Sequence, residues 1–176
     1  LKWHNGNINH VVGIDVDVTY IKEAIRRFNE STYTIKKRKY EFYVYPGYDI
    51  ENFLKNNNLN TSFNIISCQF AIHYFFKDQS TLDSFLRDVS NLLETNGYFI
   101  GTFMDGTRIM KFLETKDNNG IIHIKRDFDQ PKYIGDLIKV YIMGTLYFKE
   151  KTISTEYIVF EEVLVNACKK HNLELV

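Results

Sequence analysis

The sequence predicts an α/β fold, a doubly wound parallel sheet with helices on both faces. Two observations point there. Short apolar runs alternate with segments whose apolar residues recur at helical spacing, the rhythm of strand–helix–strand crossovers. The longest central run, Phe63 to Phe70, is apolar almost throughout, as strands are when both faces are covered. The chain has 176 residues, enough for about one domain with a real core.

The elements follow in order. Val11 to Ile14 is a first strand ending at Asp15, and Ile21, Ala24, Ile25 and Phe28 mark a helix. Tyr40 to Tyr45 is aromatic and reads as a second strand, broken by Pro46-Gly47. Phe63 to Phe70 is the third. Leu82, Phe85, Leu86, Val89, Leu92 and Leu93 form an amphipathic helix, with Ser80 and Asp83 fitting a capping box and Asn96-Gly97 ending it. Tyr98 to Phe103 is the fourth strand.

After Gly106 the rhythm changes. A helix is expected near Ile109 to Glu114, a turn at Asp117-Asn118-Asn119-Gly120, and antiparallel strands at Ile121 to Ile124 and Ile138 to Phe148. Ile158 to His171 reads as a last helix and Leu173 to Val176 as the start of a strand. Such a sheet normally has an earlier strand and a glycine-rich turn at its nucleotide site. Neither occurs in these residues, so both ends read as cut.

Composition narrows the function. Lys plus Arg and Asp plus Glu balance at 22 each, which argues against a broad basic surface gripping nucleic acid through many phosphates. One small nucleotide pocket remains compatible. Cys68 and Cys168 lie far apart and read as reduced thiols of an intracellular protein. No apolar run approaches membrane-spanning length. Phe and Tyr number 14 and 12, but Asn, Lys and Ile are frequent too, so codon bias accounts for part of this.

Three places carry chemistry. Asp15 ends the first strand, where nucleotide-binding α/β folds set a carboxylate to accept from ribose hydroxyls. Spacing alone favours the plainer role of a helix N-cap or a solvated turn carboxylate. Ser67-Cys68-Gln69-Phe70-Ala71-Ile72-His73-Tyr74 gathers polar and aromatic groups where the sheet opens to ligand. For any one such pair, a satisfied histidine and a packed tyrosine are commoner. Ser67 and Ser90 lack the glycines of a nucleophile elbow, and the five histidines, His4 and His10 among them, lack metal-ligand spacing. Glu156, before the last helix, can accept from the N1 and N2 hydrogens of a guanine. Composition alone makes it a first-turn glutamate suited to the helix dipole.

These hints fit one family. Gln69-Phe70-Ala71-Ile72-His73-Tyr74 resembles the Gln-Phe-x-x-His-Tyr signature of mRNA cap guanine-N7 methyltransferases. Asn96-Gly97-Tyr98-Phe99-Ile100-Gly101-Thr102 resembles the strand that follows it. Leu1-Lys2-Trp3 is similar to the end of the family's Asp-Leu-x-Lys-Trp segment. Val12-Gly13-Ile14-Asp15 with Arg26-Arg27-Phe28 is similar to its second strand and helix, and Glu156-Tyr157-Ile158-Val159 to its Glu-aromatic-aliphatic segment. Phe70 to Tyr74 with Met104-Asp105-Gly106 is similar to the capping enzymes of large cytoplasmic DNA viruses.

The resemblance implies a Rossmann-like class I methyltransferase sheet, with residues 1–176 forming one partial catalytic domain. It implies transfer of a methyl group from S-adenosylmethionine to the 5′ cap guanine of mRNA, with no metal. Asp15 would hold the ribose, and Gln69, Phe70 and Ala71 the methionine end. Phe70, His73 and Tyr74 would shape the guanine pocket and Glu156 would read the guanine edge. Capped mRNA is the expected partner, with other capping domains or a stimulatory subunit beside it. The compartment would be the host cytoplasm for a viral enzyme and the nucleus for a cellular one. Catalysis is expected to rest on positioning, with no acid or base at His73 or Tyr74.

The sequence departs from the pattern where an acidic residue usually meets the adenine amino group. Pro46-Gly47 stands there, with Asp49 the nearest carboxylate. The aromatic residue expected before Glu156 falls at Met143, Tyr141 or Tyr147. The alternatives are another class I methyltransferase and a non-catalytic, methyltransferase-like subunit of a capping complex.

Overall fold

The computed structural model describes residues 8–30, 39–142 and 154–176. The chain divides into two compact units, residues 1–50 and 51–176. Leu1-Lys2-Trp3, Met143 and Tyr147 lie outside the described residues.

The first unit is a strand–helix–strand unit. Strand β1 (His10–Asp15) pairs in parallel with β2 (Lys39–Val44), from His10 opposite Lys39 to Asp15 opposite Val44, and helix α1 (Val18–Glu30) lies between them in sequence. Its packing is aromatic: the Phe28 ring stacks on Tyr40 at 4.7 Å and lies 6.3 Å from Phe42. Gly13 faces Phe42, whose ring would lie 2.8 Å from any added Cβ, so only glycine leaves it that place. Glu41 gathers Lys39 Nζ (2.8 Å), His10 Nε2 (2.6 Å) and the Tyr43 hydroxyl (3.0 Å). The Lys39 ammonium first, then His10 and Tyr43, hold its carboxyl at about 2.

The second unit begins with α2, whose range Ile50–Asn56 starts at the unit boundary. This short helix was not foreseen. It buries Leu54, and the Glu51 carboxylate accepts from Asn91 Nδ2 at 2.8 Å. Strand β3 (Phe63–Gln69) then pairs in parallel with β4 (Leu93–Thr102), Ile65 opposite Tyr98 and Gln69 opposite Thr102. Between them run a 3₁₀ segment (Ile72–Lys77) and helix α3 (Gln79–Leu92).

The cap of α3 is Asp78 rather than the foreseen Ser80–Asp83 box. Its carboxylate accepts from the Thr81 amide at 2.8 Å and the Thr81 hydroxyl at 2.9 Å. Such a cap contributes about 1 kcal/mol. The first core joins Ile72, Phe75 and Phe76 of the 3₁₀ segment to Leu82, Phe85, Leu86 and Val89 of α3. Phe75 and Phe85 stack with ring centroids 3.7 Å apart. Gly101 makes room on β4 for the Ile72 side chain.

Helix α4 (Gly106–Thr115) is capped by Asp105, which accepts from the Arg108 amide at 2.9 Å. The turn read at residues 117–120 forms. Asn119 Oδ1 accepts from the amides of Ile121 and Ile122, and Gly120 sits at φ +83°. It leads into an antiparallel sheet of β5 (Ile122–Arg126), β6 (Leu137–Ile142) and β7 (Ser154–Tyr157), in that spatial order. One face of this sheet builds a second core with Ile109 of α4: Ile124, Ile138, Val140, Ile158 and Phe160.

Two terminal expectations are corrected. The last helix, α5, spans Glu161–Lys170, and residues 154–157 form β7. From Glu156 to Phe160 the side chains alternate with period two. Ile158 and Phe160 enter the second core while Val159 enters the first, which a helix could not do. Leu173–Val176 forms no strand. The chain turns at Asn172 (φ +59°), the Leu173 amide donates to the Cys168 carbonyl at 3.1 Å, and Leu173 packs on the first core.

Buried Asp136 holds the β5–β6 connection, accepting from the amides of Lys132 (2.7 Å) and Tyr133 (2.9 Å). Its own carbonyl accepts from the Ile158 amide at 2.9 Å. Asp136→Ala removes two charge-assisted hydrogen bonds to the amides of exposed residues and leaves a small gap at a buried position. A loss of about 1–2 kcal/mol is expected from urea denaturation, with an unchanged denaturant slope. A loss below about 0.5 kcal/mol would contradict this role.

Candidate functional site

The site residues are built from the rim of β3 in the second unit. At the strand's end the backbone turns left-handed at Phe70, with φ +52°. That conformation is uncommon for a bulky residue and needs outside support. The support comes from Thr102 at the end of β4. Its carbonyl accepts from the Phe70 amide at 2.9 Å, and its hydroxyl oxygen lies 3.3 Å from the same amide. The result is an aromatic side chain 67% exposed at the carboxyl end of two parallel strands.

Gln69 lies along the same rim. Its Nε2 donates to Ser67 Oγ and its Oε1 accepts from the Thr102 hydroxyl, each at 3.0 Å. Each end of the amide thus makes one hydrogen bond within the rim. Ala71 follows, and its carbonyl accepts from the Tyr74 amide at 3.1 Å, closing the turn into the 3₁₀ segment.

That segment separates two neighbouring rings. His73 is buried and Tyr74 is 56% exposed, their centroids 4.1 Å apart. His73 Nε2 is buried without a hydrogen-bond partner among the described residues, so the plainer reading of a satisfied histidine does not hold. His73 Nδ1 lies 3.9 Å from Glu156 Oε2, which is too far for a hydrogen bond. Burial pushes the His73 pKa down, and the Glu156 carboxylate opposes this only in part. The imidazole is therefore held neutral at neutral pH.

Glu156 stands on β7, opposite Ile138 of β6, with its side chain 14% exposed. The expectation of a first-turn helix glutamate is thereby corrected. Ser154, two residues back and on the same strand face, donates its hydroxyl to Glu156 Oε1 at 2.7 Å. The strand is drawn in at Gly106, whose amide donates to the Val159 carbonyl at 2.8 Å. A Cβ there would sit 2.6 Å from Ile158 and 2.9 Å from the Phe160 ring.

The second unit thus brings Gln69, Phe70, Ala71, His73 and Tyr74 onto one turn and sets Glu156 beside His73. Asp15 belongs to the first unit, at the end of β1. Its Oδ1 accepts from the Asp17 amide at 2.8 Å, and Asp17 in turn accepts from the Thr19 amide at the start of α1. Asp15 is therefore a turn carboxylate, while the helix-capping contact falls to Asp17. Tyr141, a candidate stacking residue, lies against His123 with centroids 5.2 Å apart. Ser154 and Thr102 are the supporting residues that sequence reading missed. Ser-x-Glu places both side chains on one face only of a strand, and that segment had been read as leading into a helix.

Comparison with known proteins settles the family. The family model of the mRNA (guanine-N(7))-methyltransferase domain matches residues 1–176. The chain belongs to that family. It is 30% identical over 135 residues to mRNA cap guanine-N(7) methyltransferase 1 of Oryza sativa subsp. japonica, covering 70% of this chain and 36% of the relative. It is 27% identical over 211 aligned positions to a probable mRNA-capping enzyme of Acanthamoeba polyphaga mimivirus, covering 100% of this chain and 18% of the relative. The chain thus spans well under half the length of either. Among solved structures, an S-adenosylmethionine-dependent methyltransferase from Clostridium acetobutylicum superposes with a TM-score of 0.57 at 16% identity, covering 94% of this chain and 69% of that one. This likeness establishes the Rossmann-like methyltransferase fold.

Cys68 and Cys168 are free thiols, and burial pushes Cys68 up to about 12. No helix among the described residues is long and apolar enough to cross a membrane.

The depressed pKa of His73 has a consequence for stability. The unfolded chain binds the His73 proton more readily, so acidification favours unfolding. This contribution is fully present above the unfolded value near 6.5 and is lost as pH falls. From about pH 7.5 to about 5.5, the urea midpoint of the wild type is expected to fall more steeply than that of His73→Gln. Parallel curves would place the acid sensitivity elsewhere.

Proposed function

We propose that this chain is the catalytic part of an mRNA cap guanine-N7 methyltransferase. The observation that carries the reading is the Glu156 carboxylate, fixed by Ser154 and set beside a neutral, buried His73 within one unit. A guanine presents two adjacent donors, N1–H and N2–H, and a carboxylate matches both with charge-assisted hydrogen bonds. Phe70 and Tyr74 offer exposed aromatic faces beside the base. Such faces and the carboxylate favour the positive charge that a guanine gains on N7 methylation.

S-adenosylmethionine, when bound, supplies a methyl group already activated on a positively charged sulfur. Guanine N7 has an available lone pair, so no proton has to leave it. The residues then have one task, holding nucleophile and methyl group in line. Such positioning contributes roughly 7–11 kcal/mol to lowering a barrier. Asp15 is assigned to the ribose hydroxyls, and Gln69, Phe70 and Ala71 to the methionine end, mainly through the backbone. Asp15 ends β1 of the first unit, and in the second unit the Gln69 side chain is bonded to Ser67 and Thr102. A neutral His73 avoids a second positive charge beside the reacting base.

Capped mRNA is the substrate in this reading. The work would be done in the host cytoplasm by a viral enzyme and in the nucleus by a cellular one; the similarity extends to both kinds of relative.

The test uses the full-length protein with radiolabelled S-adenosylmethionine and guanosine-capped RNA. Label is expected at N7 of the cap guanine after nuclease digestion. Glu156→Gln turns one acceptor into a donor facing the base, and kcat/KM for the cap should fall about 10- to 100-fold with cofactor binding kept. Label on another acceptor, or an unchanged Glu156→Gln enzyme, would overturn the reading.

A further inference from the structure

We propose that the solvent face of the β5–β6–β7 sheet binds the RNA chain that follows the cap. This rests on the reading of Glu156 as the guanine acceptor, since that residue lies on the other face of the same sheet.

Ile124, Ile138 and Val140 are buried on the core face. The alternating residues Lys125, Lys139 and Thr155 are exposed, and Lys139 pairs with both Lys125 and Thr155 across the strands. Two ammonium groups directly opposite each other destabilise a strand pair. No carboxylate forms an ion pair with either lysine among the described residues. Such a cost fits a face built to meet a polyanion.

The next cross-strand pair on the same face is His123–Tyr141, whose rings stack at 5.2 Å. Half-exposed rings beside cations suit single-stranded nucleic acid, whose bases stack while its phosphates pair with charge. Lysines act here as point charges on phosphates and read no base edge, which suits an RNA whose sequence varies from one message to the next. The patch is short. Asp117, 3.3 Å from His123 Nε2, ends it, so a few nucleotides would be held rather than a long track. β7 is an edge strand among the described residues. β7 carries both Glu156 and Thr155, on opposite faces, so an RNA bound at both would cross that strand to reach Lys139.

The test compares a capped RNA of about twenty nucleotides with a capped dinucleotide, using the full-length protein. Lys125→Glu/Lys139→Glu is expected to raise the Kd for the long RNA about tenfold or more. The slope of log K against log salt should become shallower by about 1.4, or about 0.7 for each lost phosphate. Methylation of the capped dinucleotide should stay within about twofold of wild type. Lys125→Gln/Lys139→Gln removes the repulsion without reversing charge. It should melt no lower than wild type and still lose affinity for the long RNA, which a merely structural role would not produce. An unchanged Kd and salt slope in both variants would overturn the proposal and leave the lysine pair to a protein contact. Failure of the Glu156 reading would show differently: wild type would not prefer capped over uncapped RNA, while the salt slope would still respond to the two lysines.

Discussion

The second unit depends on one short passage of chain, Glu156 to Phe160, that runs between two cores. Ile158 and Phe160 enter one core and Val159 the other. Period-two alternation makes this possible, and backbone contacts on both sides enforce it. The Ile158 amide donates to the Asp136 carbonyl, and Val159 bridges in parallel to Asp105, its carbonyl accepting from the Gly106 amide. With those residues locked, Glu156 has little freedom. It must lie on β7 opposite Ile138 and beside His73.

The same packing explains the chemistry of the pair. His73 is carried by a 3₁₀ segment whose neighbours Ile72, Phe75 and Phe76 are all buried. Burial lowers its pKa, and the carboxylate at 3.9 Å is too distant to reverse this. What results is a fixed acceptor, a neutral ring and two exposed aromatic faces. Methylation of guanine N7 requires no proton to be moved, so the proposed reaction asks these groups only to hold the base. The site is suited to a reaction whose difficulty is geometric.

Much of this was legible in the sequence, and the misses have physical causes. β1, α1 and β2 were found from short apolar runs, helical spacing and the Pro46-Gly47 breaker, β3 from its near-continuous apolar run, and α3 from its apolar period; the stop foreseen for α3 at Asn96-Gly97 falls inside β4, which begins as soon as the helix ends. The turn at 117–120 was found from its Asp-Asn-Asn-Gly chemistry. The last strand was missed because its residues, Ser154 to Tyr157, are mostly polar and run into Ile158 to Phe160, so that Tyr157 to Phe160 form an apolar run. An unbroken apolar run does not show whether its period is two or 3.6. Only the presence of a core on each side decides, and that is a tertiary fact. Misreading the strand hid Ser154, whose role follows from sharing a strand face with Glu156. Helix α2 and the 3₁₀ segment are short and held mainly by tertiary burial, so local pattern gave little sign of them. The residues of the β3 rim were picked out as a group because a family signature runs through them, and the structure places them on one turn. Thr102, which stabilises the left-handed Phe70, was part of a quoted motif but had no role until the parallel register placed it opposite Gln69.

The central claim is that Glu156 recognises guanine through two donors on one edge. The most direct measurement is the affinity of the full-length protein for an inosine cap against a guanosine cap. Inosine keeps N7, O6 and N1–H and lacks only the N2 amino group. A loss of about tenfold or more for inosine is predicted, since a buried carboxylate oxygen would be left without its partner. Equal affinity for the two caps would contradict the claim, because Glu156 would then not be reading that edge of the base.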